Sequence, residues 1–164
     1  YKMIEKKINT TFLIADFDEM SEEEKILINN AKKSLKSAYS PYSGFSVGAS
    51  ILLNNGKTVE GSNQENIAYP SGLCAERVAL FYVGSQYPNG IIKTIAISAF
   101  SQSFTIEDYI SPCGACRQVM AEYEEKQKSK IKVLLHSPNG KVLISESVED
   151  LLPFIFKSPF LKKY

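Results

Sequence analysis

Apolar residues follow the spacing of an amphipathic helix in the segment after residue 20. Ser21, followed three residues later by Glu24, forms the pattern of an N-terminal capping box. The apolar positions then recur every three or four residues, which predicts a helix over residues 21–38. Those positions are Leu27, Ile28, Ala31, Leu35 and Ala38.

Several stretches have the apolar or alternating composition that is typical of β-strands. Asn54-Asn55-Gly56 and Pro138-Asn139-Gly140 are tight-turn sequences, and each lies between two such stretches. We therefore predict two hairpins and one further buried strand. The predicted strands lie at 45–53, 57–62, 91–99, 131–136 and 141–145.

Two more helices are predicted after long polar loops. One covers residues 74–85 after the loop 63–73, and the other covers 114–127 after the loop 101–112. The alternation of helices and strands predicts an α/β fold with a mixed sheet between helical layers. Because both helices follow loops that leave strands, we expect their N-termini to converge at one edge of the sheet, where such sheets bind ligands.

The two ends of the chain carry weaker signals. Ser147 and Asp150 are candidate caps for a last short helix. Residues 1–20 form an N-terminal extension without a predicted role, and within it Thr10 to Ile14 have the composition of an extended arm. A chain of 164 residues suits one domain, so we take residues 21–164 as that single domain.

Composition and charge narrow the classes of partner. A formal net charge of +1 and a hydrophobic fraction of 44% are typical of a soluble globular protein and argue against a nucleic-acid partner. No stretch approaches the roughly 18 apolar residues that a membrane span needs. Reduced cysteines favour a reducing compartment, so we expect a cytoplasmic protein. The densest basic run reads as a solvated face and comprises Lys126, Lys128, Lys130 and Lys132.

The three cysteines of the chain lie in two short motifs. These are Cys74-Ala75-Glu76 and Pro112-Cys113-Gly114-Ala115-Cys116. A structural zinc site has four protein ligands, whereas a hydrolytic site has three and leaves one position to water. His136, the single histidine, is predicted at a strand end, and we do not expect it to be a ligand. A Cys-x-x-Cys pair alone is also compatible with a redox pair, half a zinc finger or two buried apolar residues.

The spacing of the motif residues sets geometric conditions. Cys113 and Cys116 share one helix face, and a helix N-terminus there favours the thiolate form. Cys74 and Glu76 point roughly 200° apart on a regular helix, at about 3.6 residues per turn. Both can face one metal only if Cys74 lies in the first turn of its helix.

A longer series of motifs resembles the cytidine deaminases of the small, homotetrameric, three-cysteine type. The resemblance covers roughly residues 37–156 and is densest from 38 to 120. It implies a three-layer α/β/α sandwich with a five-stranded mixed sheet, and one zinc ion per chain held by Cys74, Cys113 and Cys116. The matching segments include Pro41-Tyr42-Ser43, Val47-Gly48-Ala49, Glu65-Asn66, Ala68-Tyr69-Pro70, Cys74-Ala75-Glu76-Arg77 and Cys113-Gly114-Ala115-Cys116-Arg117-Gln118.

The resemblance also implies roles for individual residues. Glu76 is expected to be the proton shuttle and not itself to bind zinc. Arg77 follows Cys74 by three residues on the same side of the helix, so it is a candidate donor to the cysteine sulfurs; an arginine there is also compatible with a surface ion pair. The resemblance places Asn63 and Glu65 on the ribose 3′-hydroxyl. The remaining implied residues are Phe45 against the pyrimidine, Ala75 as a backbone donor to the ring carbonyl, and Tyr69 and Phe156 at subunit contacts that complete the active sites of a homotetramer. Taken singly, Phe45 would be read as a core strand residue, and Asn63 and Glu65 as ordinary loop polars.

The implied activity is zinc-dependent hydrolytic deamination of cytidine and 2′-deoxycytidine to the uridines and ammonia, a reaction of pyrimidine salvage. Deamination of cytosine in RNA or DNA uses the same chemistry, but the near-neutral charge and the Asn63/Glu65 pair disfavour it. That pair also disfavours a nucleoside antibiotic such as blasticidin S. A structural zinc module would need a fourth protein ligand. The chain departs from the family at Ser46, where many members have proline, at Ile67, and in the tail Lys157-Ser158-Pro159-Phe160.

Overall fold

The computed structural model describes residues 1–161, and its core is one sheet between two helical layers. The strand order is β1-β6-β5-β4-β2-β3. Only β4 and β5 run parallel to each other, so the sheet is mixed as predicted. The elements are β1 (Leu13–Asp16), α1 (Glu22–Ser34), β2 (Phe45–Leu53), β3 (Thr58–Ser62), α2 (Ala75–Gln86), β4 (Ile92–Ser101), α3 (Gly114–Gln127), β5 (Lys132–His136), β6 (Lys141–Ser145) and α4 (Val148–Leu151).

The sheet has six strands, so the expected number of five is too low by one. The additional strand β1 comes from the N-terminal extension and pairs antiparallel with β6, with Leu13 opposite Ile144. Asp16 and Lys141 reinforce this edge with an ion pair of 2.7 Å. Leu13 and Ile14 remain 53% and 62% exposed, so β1 carries no buried alternation from which the sequence could have predicted it.

Helix α1 covers one face of the sheet, and helices α2, α3 and α4 cover the other. Leu27, Ile28 and Ala31 of α1 form one apolar cluster with inward residues of β2, β4, β5 and β6. A larger cluster on the opposite face joins α2, α3 and α4 to the same sheet. This arrangement confirms the three-layer α/β/α architecture.

The start of α1 follows the sequence signal, whereas its end does not. The Ser21 hydroxyl accepts from the Glu24 amide, and the Glu24 carboxylate accepts from the Ser21 amide, which is the predicted capping box. The α-helix ends at Ser34 and a short 3₁₀ turn follows, although helical spacing extends to residue 38. Tyr39 has already left the helix, because its amide donates to the Asn63 carbonyl at 2.9 Å.

Two glycines allow helices to pack closely on the sheet. A Cβ at Gly61 of β3 would lie 2.6 Å from the Ala75 carbonyl oxygen and 2.7 Å from the Ala79 amide nitrogen. A Cβ at Gly48 of β2 would lie 2.0 Å from the Ala31 carbonyl oxygen. Both distances are far below van der Waals contact, so only glycine permits these approaches. Gly61 thereby sets the position of the first turn of α2, which carries two of the motif residues.

Candidate active site

Cys74 and Cys113 are the N-cap residues of helices α2 and α3. Both have extended backbones, with φ −70° and ψ 153° at Cys74 and φ −65° and ψ 164° at Cys113. Cys116 lies in the first turn of α3. Because Cys74 precedes its helix, the 200° separation expected within a regular helix does not apply, and Cys74 and Glu76 can serve one site. The condition set by the sequence is therefore met at the cap.

The three sulfur atoms form a compact triangle. Sγ of Cys74 and Sγ of Cys113 are 3.8 Å apart, and Sγ of Cys113 and Sγ of Cys116 are 3.5 Å apart. With Zn–S bonds of about 2.3 Å, tetrahedral coordination places sulfurs about 3.8 Å from one another. The triangle therefore fits zinc. Within residues 1–161 the three cysteines are the only group of three or more His, Cys, Asp or Glu side chains whose ligand atoms all lie within 4.8 Å of one another.

Positive potential surrounds the sulfurs. The N-termini of α2 and α3 both meet the cluster, and the Arg77 guanidinium donates to Sγ of Cys74 at 3.6 Å. The hydrogen bond with Cys116 and the contact with Arg77 lower the pKa of Cys74. The same hydrogen bond, together with burial, raises the pKa of Cys116, so the sulfurs share protons that a cation would displace.

Glu76 is a buried carboxylate beside the sulfur triangle. It occupies the second position of α2 and is 4% exposed. Burial, with a smaller contribution from the negative charge of Cys74, raises the pKa of Glu76 to about 6. A carboxyl group with a pKa near neutrality can both accept and donate a proton, as general acid–base catalysis requires.

A cavity of about 300 Å³ opens next to the cysteines. This volume lies at the lower end of the range of roughly 300–1,000 Å³ that is typical of small-molecule sites. Seven of the residues singled out in the sequence line the cavity. An eighth, Cys116, is buried, with its Sγ 3.5 Å from Sγ of Cys113. Those that line the cavity directly are Phe45, Asn63, Glu65, Cys74, Glu76, Arg77 and Cys113.

Asn63 and Glu65 both organise the backbone around this cavity. The Asn63 amide donates to the Phe45 carbonyl at 2.9 Å and accepts from the Val47 amide at 2.7 Å. The Glu65 carboxylate accepts from the Ser43 hydroxyl and from the Tyr42 amide, and these bonds lower its pKa. Both side chains are thus held in place at the rim.

Phe104 is an aromatic residue of the site region that the sequence did not indicate. Its ring lies parallel to the Phe45 ring, with centroids 6.0 Å apart and planes at 10°. It comes from the loop between β4 and α3 and is 56% exposed. Nothing in the spacing of that loop distinguishes Phe104 from any other loop residue.

Arg117 fixes the loop that leads into the second cysteine motif. Its guanidinium donates to the Pro112 carbonyl at 2.8 Å, to the Ser111 hydroxyl at 2.9 Å and to the Leu151 carbonyl at 2.8 Å. Ser111 lines the cavity, so one side chain connects the cavity wall to the C-terminal segment. The sequence placed Arg117 within the motif but gave it no role.

The remaining sequence candidates lie elsewhere. Ala75 is fully buried in the first turn of α2, whereas Tyr69 and Phe156 are 76% and 73% exposed and do not line the cavity of their own chain. His136 lies at the end of β5 and hydrogen-bonds to Ser98 at 3.2 Å, away from the cysteines. The structure therefore separates His136 from the candidate metal site, as expected.

Comparison with known proteins agrees with this geometry. Residues 21–131 match the family described as the cytidine and deoxycytidylate deaminase zinc-binding region. The cytidine deaminase of Halalkalibacterium halodurans is 37% identical over 134 residues, which cover 82% of this chain and 94% of that protein. Together, the match over most of the chain and this similarity establish the family.

Solved structures show the same similarity in three dimensions. A cytidine deaminase from Burkholderia pseudomallei superposes with a TM-score of 0.70 at 40% identity, covering 84% of this chain and all of that one. The enzyme from Mycobacterium tuberculosis superposes with a TM-score of 0.65 at 30% identity, covering 84% of this chain and 100% of that one. The chain belongs to the cytidine and deoxycytidylate deaminase family.

Proposed function

We propose that this protein catalyses the hydrolytic deamination of cytidine and 2′-deoxycytidine with one zinc ion per chain. The observation that carries the proposal is the combination of three clustered sulfurs with a buried carboxylate beside an open cavity. Cys74, Cys113 and Cys116 would hold the metal. When bound, zinc supplies Lewis-acid chemistry that lowers the pKa of a water molecule towards about 7.

Glu76 performs the proton transfers in this proposal. Its carboxylate takes a proton from the attacking water and delivers it to ring N3, while the water oxygen bonds to C4. It then carries the remaining proton of that water from the C4 hydroxyl to the exocyclic amine. The C4–N4 bond breaks as the C4=O bond forms, and ammonia leaves. Burial suits Glu76 to both roles, because its pKa of about 6 lies close to neutral pH.

Arg77 offsets the charge of the sulfurs. Three thiolates around Zn²⁺ give a formally negative centre, which opposes the acidification of water. The donation from Arg77 to Cys74 at 3.6 Å withdraws part of that charge. The two helix N-termini act in the same direction.

The rim residues select a free nucleoside. Asn63 and Glu65 receive the ribose 3′-hydroxyl, Phe45 packs against the pyrimidine, and the backbone of Ala75 donates to the ring carbonyl. The Asn63 amide keeps one N–H beyond its bond to Phe45, and Glu65 retains acceptor capacity. A carboxylate at the 3′-position repels a phosphodiester, which disfavours cytosine in RNA or DNA.

The assembly we propose is a homotetramer. Tyr69 and Phe156 are largely exposed aromatic residues, and exposed aromatic surface is typical of contact regions. Phe156 is held at its backbone, because the Gln118 amide donates to its carbonyl at 2.9 Å.

We further infer a role in pyrimidine salvage in the cytoplasm. Within residues 1–161 the structure contains no helix that is long and apolar enough to cross a membrane.

Turnover of defined substrates tests this function. Zinc-loaded protein should convert cytidine and 2′-deoxycytidine, as followed by the change in ultraviolet absorbance and by ammonia release. Cytidine 3′-monophosphate, blasticidin S and a cytosine-containing oligonucleotide should be poor substrates. Rapid turnover of the oligonucleotide with none of cytidine would instead support the nucleic-acid alternative. Bound zinc without turnover of any of these would favour a structural zinc module.

A further inference from the structure

A second cavity opens on the face of the sheet opposite the cysteine cluster, beside the C-terminal end of α1. Its volume is about 600 Å³, and it lies where the parallel strands β4 and β5 end. Crevices at the carboxyl ends of parallel strands are the usual ligand sites of α/β sheets. Phe45 lines the active-site cavity and Ser46 lines the second, because successive strand residues face opposite sides. The principal lining residues are Lys32, Lys36, Ser46, Ser98, Phe100 and His136.

The charge on one wall of the second cavity is positive. Lys32 and Lys36 lie one helical turn apart, and neither makes an ion pair within residues 1–161. Within the same residues, the one contact of these ammonium groups is that of Lys32 Nζ with the Phe17 ring, 5.8 Å from its centroid. By contrast, Lys93, Lys132 and Lys141 each contact a carboxylate. Among the described lining residues there is no aspartate or glutamate. This wall therefore favours an anion.

Buried polar groups complete the floor of the second cavity. Ser98 and His136 are 3% and 9% exposed and hydrogen-bond through Oγ and Nδ1 at 3.2 Å. Within the described part of the chain, Nε2 of His136 makes no hydrogen bond. The hydroxyls of Ser40 and Ser46 lie 3.1 Å apart and also face this space. Ser40 and Ser46 are half-buried and pair with each other, and Ser98 pairs with His136. The capacity left for a ligand therefore lies in Nε2 of His136 and in the remaining lone pairs of the hydroxyls.

Phe100 supplies an aromatic surface in the same cavity and is 54% exposed. We propose that the second cavity binds a small phosphorylated ligand that carries a planar ring, which is the chemistry of a nucleotide. The phosphate lies against Lys32 and Lys36, and the ring lies against Phe100. This site is separate from the cysteine cluster and does not rest on the proposed deamination.

Inorganic phosphate tests the charged part of the site. Zinc-loaded protein is titrated with phosphate at constant ionic strength while backbone amide chemical shifts are followed. We expect saturable shifts at residues 32–37 and 98–102. Lys32→Gln and Lys36→Gln should each weaken binding about tenfold, since each removes a charged hydrogen-bond donor. Lys33→Gln is the matched control, because Lys33 is an exposed neighbour on α1 that does not line the cavity.

Adenosine 5′-monophosphate tests the ring-binding part, and its purine distinguishes this site from a cytidine site. It should bind more tightly than phosphate, and Phe100→Ala should abolish that gain while leaving phosphate binding unchanged. Adenosine, which lacks the phosphate, should bind weakly. The proposal is overturned if phosphate causes no saturable shift, if Lys33→Gln weakens binding as much as Lys32→Gln, or if shifts appear only around the cysteines.

Discussion

The sulfurs of Cys74 and Cys113 lie 3.8 Å apart although the residues cap different helices. Each cap directs a thiol towards the same point while the helix behind it contributes positive potential. A cap position also frees the cysteine from the helical spacing of the residues that follow. The candidate metal site thus lies at the meeting point of two helix N-termini.

The first prediction concerns metal content. Alanine at Cys74, Cys113 or Cys116 removes one of three ligands, so each variant should lose most of its zinc and its activity together. Zinc per chain is measured by atomic absorption after dialysis. His136→Ala serves as the control and should retain full zinc, because His136 lies away from the cysteines. Full zinc in all three cysteine variants would exclude this site.

Glu76→Gln separates metal binding from proton transfer. Glutamine has the same shape but cannot exchange a proton, so the variant should keep its zinc and bind nucleoside. Its kcat should fall by about 10²–10⁴-fold, as is typical when a general acid–base group is lost. Steady-state kinetics with zinc quantitation checks this. Normal turnover by the zinc-loaded variant would show that Glu76 is not the proton carrier.

Arg77→Gln removes the guanidinium that donates to Cys74 but leaves all three proposed zinc ligands in place. The loss of such a partner costs about 10–100-fold in metal affinity or activity, so this variant should be impaired but active. Zinc affinity is measured by competition with a chelator, in parallel with kcat/KM. Arg77→Lys retains the charge and should recover part of the loss. If both variants match the unaltered protein, the contact has no functional role.

The sequence was most informative where burial imposes a periodic pattern. The capping box at Ser21, the two hairpins and both cysteine helices were predicted because each combines local capping or turn chemistry with buried apolar positions. Strand β1 escaped prediction because its side chains are mostly exposed. The sequence also did not predict the role of Arg117, because its partner Leu151 is 34 residues away and the contact exists only in the folded chain.

Gly61→Ala tests how closely α2 must approach the sheet. The new Cβ would lie 2.6 Å from the Ala75 carbonyl oxygen, so either the strand or the first turn of α2 must move. Overpacking of this kind costs about 1–3 kcal/mol, and kcat/KM should also fall because Cys74 and Glu76 move with that turn. Denaturant unfolding measures the free-energy change. Gly114→Ala is the matched control for stability, since nothing lies within 4 Å of its Cβ position. Equal stability of the two variants would argue against the close approach.

His136 gives the fold a pH dependence on the acid side. Burial, with a smaller contribution from Lys32, lowers the pKa of His136 below its ordinary value of 6.5. At mildly acid pH the unfolded chain therefore binds a proton at His136 more readily than the folded chain does. The free energy of unfolding should fall as the pH drops from about 7 towards 5. His136→Gln cannot titrate, so its free energy of unfolding should depend less steeply on pH over that interval. Denaturant unfolding of both proteins at several pH values in this interval gives the free energy of unfolding. The slopes of this free energy against pH are then compared. Parallel slopes would show that His136 does not contribute to the loss of stability at acid pH.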